Sequence, residues 1–159
     1  MFVVAPDVNV FVGAGADGFG LPCLPRELAL RQDQVRAYYA LGDGQRFIVA
    51  TSEYLLHEVE QQLIRLGAPS DRARAWLEEV RRWCWVIQPE VIADVVPDDY
   101  DDNNVLAVAS EARRRAHDLV EQPAAYLVVS TDPHLVDIEE WDGILTTSAR
   151  TFLHALGSA

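Results

Sequence analysis

Short apolar runs rich in β-branched and aromatic residues alternate with helical patterns along this chain, and no other feature constrains its fold as much. FVVA (2–5), RFIVA (46–50), AYLVVS (125–130) and GILTT (143–147) read as strands, with a weaker fifth around WCWVI (83–87). Helical spacing occupies 26–41, 52–66, 71–82, 102–117 and 148–156. Strands separated by helices need crossover connections, so the expected fold class is α/β, with a mainly parallel sheet covered on both faces. Such sheets bind ligands beyond the carboxyl ends of their strands. A chain of 159 residues, half of them hydrophobic and without internal repeats, is expected to form one domain over 1–159. The Gly-rich piece 13–20 and LGDG (41–44) read as loops, the first a mobile one beside the ligand end of the sheet.

Charge narrows the partners. The net charge is −12, with 25 acidic residues against 13 basic ones, and every basic residue is Arg. In bulk that is unlike a nucleic-acid binder. The arginines are clustered, however, at Arg72, Arg74, Arg81 and Arg82 and again at Arg113, Arg114 and Arg115. Guanidinium forks suit phosphates, although solvated helix faces are the simpler reading of both clusters. No apolar run reaches the length of a membrane span, and Met1 leads into a strand-like run instead of a signal peptide. Cys23 and Cys84 are too few for a disulfide framework, so reduced thiols and a cytoplasmic location are expected.

The acids carry the chemistry. Asp7 follows the first strand and Asn9 comes two residues later; Asp132 follows AYLVVST in the same way. In a parallel sheet two such acids point into one crevice, although each also suits the cap of the next helix. VPDDYDDNNVLAVAS (96–110) crowds four aspartates before an apolar stripe of Val105, Leu106, Ala109, Ala112 and Ala116. Asp102 stands three and four residues ahead of Val105 and Leu106, on that stripe. A carboxylate heading a buried stripe is costly without a partner, and a cation is the strongest one on offer. Asp99, on the loop before the helix, is expected to matter much less. In SEYLLHEVEQQL, Glu58 and Glu60 flank the core face on opposite edges, and periodicity does not choose between them.

PDVNVFV, SEYLLHEVEQQL, VPDDYDDNNVLAVA and AYLVVSTDPHL, in that order and spacing, resemble the PIN-domain ribonucleases over almost the whole chain. The likeness is greatest to the VapC-like toxin components of toxin–antitoxin pairs. It implies a three-layer α/β/α sandwich and cutting of single-stranded RNA that depends on Mg²⁺ or Mn²⁺. It also implies a cognate antitoxin as partner and leaves room for a homodimer. The family's acidic quartet matches Asp7, Glu58, Asp102 and Asp132, as catalytic residues and metal ligands, with Asn9 and Thr131 as polar neighbours. It is the resemblance that selects Glu58 over Glu60. Val8 departs from the family's usual Thr, and His134 stands where many members have Asp, which leaves open how a second metal would be held. Hard divalent ions prefer oxygen donors and relieve the repulsion of gathered carboxylates, so the chemistry suits the residues.

Other signals are weaker. Gly13, Gly15 and Gly18 spell G-x-G-x-x-G, but no strand directly precedes them and Pro22 and Pro25 follow, so no nucleotide cofactor is expected. HEVEQ lacks the second His of a zinc protease motif. A phosphoryl-transfer protein of receiver or haloacid-dehalogenase type needs an acid where Asn9 stands, or a Lys, and the chain has none. The remaining rival is a degenerate PIN module that binds RNA or a protein without cleaving.

Overall fold

The computed structural model describes residues 1–157. Within them lie strands β1 (Phe2–Pro6), β2 (Phe47–Thr51), β3 (Trp85–Val86), β4 (Ala125–Ser130), β5 (Glu140–Trp141) and β6 (Ile144–Ser148). Helices α1 (Val8–Gly18), α2 (Leu28–Leu41), α3 (Glu53–Arg65), α4 (Ser70–Trp83), α5 (Tyr100–Arg115), α6 (Pro133–Val136) and α7 (Ala149–Ala155) connect and cover them. The strands form one sheet in the order β3-β2-β1-β4-β6-β5. Every pairing is parallel except that of the short edge strand β5 with β6. The expected α/β/α sandwich is the observed architecture.

Val3, Val4 and Ala5 are consecutive in β1 and all buried, as are Val128 and Val129 in β4. Consecutive burial means that both sheet faces are covered, which is why these strands read as continuous apolar runs. α5 packs its stripe of Val105, Leu106, Val108, Ala109 and Ala112 across β1, β2 and β4. Among the described residues no helix is long and apolar enough to cross a membrane. Cys23 and Cys84 are unpaired thiols.

The chain departs from the sequence-based expectation at its first connection. Residues 13–18 are not a loop; they belong to α1, and Val8 through Ala16 is almost wholly buried. The glycines serve contact, not flexibility. A Cβ on Gly13 would lie 2.2 Å from Gln34 Oε1 and 2.6 Å from Gln34 Cβ. One on Gly15 would meet Leu63 Cδ1 and Trp76 Cζ3, each at 2.9 Å. α2, α3 and α4 therefore approach α1 more closely than any larger residue permits. α5 also begins at Tyr100, two residues before the expected start, because Asp99 takes the capping position and accepts from Asp102 N at 2.9 Å.

Strand order decides where a ligand goes. From β1 the chain crosses to β2 on one side, while β4 pairs with β1 on the other. Between the carboxyl ends of β1 and β4 the helices diverge and leave a crevice. Asp7 N bonds Val129 O at 2.9 Å, so the residue after β1 is still stitched to β4 at the crevice floor.

Candidate metal centre

Asp7 enters the crevice from the end of β1 and Asp132 from just beyond β4, while Asp102 reaches it from the first turn of α5. All three line one cavity of about 160 Å³, together with Asn9, Gln62, Asp99 and Asp101. Capping and site-facing are not exclusive. Asp7 Oδ1 accepts from Val8 N at 2.7 Å and caps α1, while Oδ2 accepts from Ser130 Oγ at 2.6 Å and Asn9 Nδ2 at 2.9 Å. Asp132 caps α6 through His134 N at 2.9 Å, and its own N–H donates to Ser130 Oγ at 2.8 Å. Ser130 thus ties the two strand-end acids together.

Asp102 is different. Only 3 % of it is exposed, yet its Oδ2 has no hydrogen-bonding partner within the protein. Burial, then the charges of Asp7 and Asp132 and lastly Asp99, push its carboxyl well above the usual range. Burial likewise raises Asp7 to about 6 against the lowering bonds from Ser130 and Val8, with Asp132 and Asp99 adding to the rise. Asp99, Asp102, Asp132 and His134 each offer a ligand atom, all within 4.8 Å of one another. An orphaned, buried oxygen among converging acids fits a divalent cation, which satisfies the oxygen and offsets the repulsion.

The PIN domain of RRP44 from T. brucei matches this chain with a TM-score of 0.50 at 15 % identity, covering 98 % of this chain and 82 % of that one. The fold is PIN-like. At that identity the likeness concerns the architecture alone. No family model and no curated protein matches the chain.

Within this PIN-like fold the polar neighbours form a chain of contacts. Asn9 Oδ1 accepts from Thr131 N at 3.4 Å, and Thr131 Oγ1 accepts from Gln34 Nε2 at 2.8 Å. Gln34 reaches Thr131 across the gap that Gly13 leaves. Glu58 is half-buried and is not among the residues lining the cavity. It lies on the α3 line Tyr54, Glu58, Gln62, whose outer two members face the acids: Gln62 lines the cavity and Tyr54 Oη donates to Asp101 Oδ1 at 2.6 Å. Glu60 turns the other way, to Arg74 Nε at 3.3 Å.

Three contributors escape a sequence reading. Asp99 is a cap and a cavity wall at once, which the loop reading undervalued. Asp101 is held by Tyr54, and only the packing of α3 beside α5 shows it. Asn103 Oδ1 accepts from Val95 N and Val96 N, each at 2.9 Å, and its Nδ2 donates to Val96 O at 2.8 Å, pinning the segment before α5. The D-D-x-D-D-N-N run was the available signal, since such polar density across the start of a helix exceeds what one cap needs. Several arginines are spent internally. Arg81 pairs with Glu53 and Glu78, Arg74 with Glu60 and Arg114 with Glu111, while Arg115 lies over the Trp85 ring.

Proposed function

We propose that this protein is a divalent-cation-dependent endoribonuclease acting on single-stranded RNA. The observation that carries the reading is the buried, unpartnered Oδ2 of Asp102, a residue that lines one cavity with Asp7 and Asp132 from the carboxyl ends of adjacent parallel strands. Asp7, Asp102 and Asp132 are the residues that hold Mg²⁺ or Mn²⁺, and Glu58 on α3 joins them on the sequence resemblance alone. When bound, such a cation supplies an activated water and offsets charge developing on a phosphodiester. Asn9 and Ser130 fix the rotamer of Asp7, and Asp99 holds the first turn of α5, so that the acids are oriented in advance. Thr131 and Gln34 brace Asn9 from the far side.

The toxin role with a cognate protein antitoxin belongs to the same proposal and rests on the sequence resemblance. The test is cleavage of a labelled single-stranded RNA by the purified protein, with the parent compared to Asp102→Asn. We expect cutting with Mn²⁺ or Mg²⁺ that chelation abolishes and metal restores. Undiminished cutting in excess EDTA, or none with either ion, overturns the reading. Growth arrest on expression, relieved by the product of an adjacent gene, tests the toxin assignment separately.

A further inference from the structure

One donor near the acids is not an oxygen. His134 occupies the second position of α6, directly after the Asp132 cap and Pro133, and its Nδ1 lies 3.8 Å from Asp132 Oδ1. Its imidazole is largely exposed, yet one of its ring nitrogens falls within 4.8 Å of ligand oxygens from Asp99, Asp102 and Asp132. Asp99 is fixed by its bond from Asp102 N, and Asp132 by its bond to His134 N, so the backbone sets this cluster. The buried, unpartnered Oδ2 of Asp102, itself a member of the cluster, is an independent sign that a cation belongs there.

We propose that His134 Nδ1 is a direct ligand of the cation, and that this nitrogen makes the centre selective for Mn²⁺ over Mg²⁺. The inference rests on the metal-centre reading above and goes beyond it in naming the ion and a nitrogen donor. Mg²⁺ takes oxygen almost to the exclusion of nitrogen and holds its water tightly, whereas Mn²⁺ accepts imidazole beside carboxylates. A His at a surface-facing helix start that served only as a counter-charge to Asp132 would confer no such preference. A contact of that kind is worth little at this exposure.

The test uses the whole chain and the metals alone. Dissociation constants for Mn²⁺ and Mg²⁺ are measured by calorimetry on the parent, His134→Ala, His134→Asp and Asp102→Asn, and pulsed electron paramagnetic resonance of bound Mn²⁺ reads nitrogen coupling. We expect nitrogen modulation in the parent that His134→Ala abolishes, together with a roughly tenfold or greater loss of Mn²⁺ affinity. Mg²⁺ affinity should change by less than about threefold in His134→Ala and should rise relative to Mn²⁺ in His134→Asp. Absent modulation in the Mn²⁺-bound parent, modulation that survives His134→Ala, or equal weakening of both ions overturns the proposal. If Asp102→Asn loses Mn²⁺ while His134→Ala does not, only this inference falls. If Asp102→Asn binds Mn²⁺ as tightly as the parent, the metal-centre reading falls with it.

Discussion

Asp102→Asn should reverse its effect on stability according to whether metal is present. In the metal-free protein this carboxylate is buried, unpartnered and close to Asp7 and Asp132. The scale of the cost can be taken from Asp7, whose carboxyl is raised from 3.8 to about 6 by burial before any other cause. That difference corresponds to about 3 kcal/mol of folding free energy lost once the pH exceeds both values. Asp102 is displaced in the same direction, and its charge contributes to the repulsion on its neighbours. Asn keeps the shape and removes the charge, so metal-free Asp102→Asn should be more stable than the parent by about 2–3 kcal/mol near pH 7. For a chain of this length that raises the melting temperature by about 5–10 °C. The sign with pH follows. A carboxyl raised by folding adds stability below its unfolded value near pH 4, and that contribution is lost as pH climbs through the folded value. The parent's metal-free stability should therefore fall as pH climbs from about 4 through about 6 for Asp7 and about 8 for Asp102, and the variant's should fall less. With Mn²⁺ at about a hundred times its dissociation constant the parent gains about 2.7 kcal/mol, while the variant gains little and cuts RNA orders of magnitude more slowly. Differential scanning calorimetry from pH 4 to 8, with EDTA and with Mn²⁺, measures all of this. A variant less stable than the parent in EDTA, or equally stabilised by Mn²⁺, would refute the argument.

Gly13→Ala forces a Cβ to 2.6 Å from Gln34 Cβ, which a side-chain rotation cannot relieve. It should destabilise by about 1–3 kcal/mol and break the Gln34–Thr131 bond, lowering activity beyond what unfolding explains; an unchanged melting temperature sinks this packing account. Asn103→Ala removes three hydrogen bonds to the 95–96 backbone. It should cost about 2–4 kcal/mol and raise amide exchange at Val95 and Val96, and exchange at the parent's rate would show that Asn103 does not hold the segment. Asp99→Asn can still cap α5, so the helix should persist while Mn²⁺ affinity drops; unaltered affinity would confine Asp99 to the cap.

Local pattern carried much of this fold. β4 spans Ala125–Ser130, the run that β-branched residues mark out, and the other long strands lie within a residue or so of their apolar runs, because strand identity there follows from what can be buried on both faces. Asp102's place at the head of the α5 stripe was equally legible, since helical spacing is a property of the chain alone. Tertiary structure decided the rest. Gly13 and Gly15 look like loop formers until Gln34, Leu63 and Trp76 arrive against them, and those neighbours are distant in sequence. That Asp7 and Asp132 meet depends on β1 pairing with β4, a pairing across more than a hundred residues that no local propensity encodes. Glu58 and Glu60 sit at equivalent edges of an isolated helix; only the packing of α4, which presents Arg74 to Glu60, and of α5, which presents Asp101 to Tyr54, makes the two edges of α3 different.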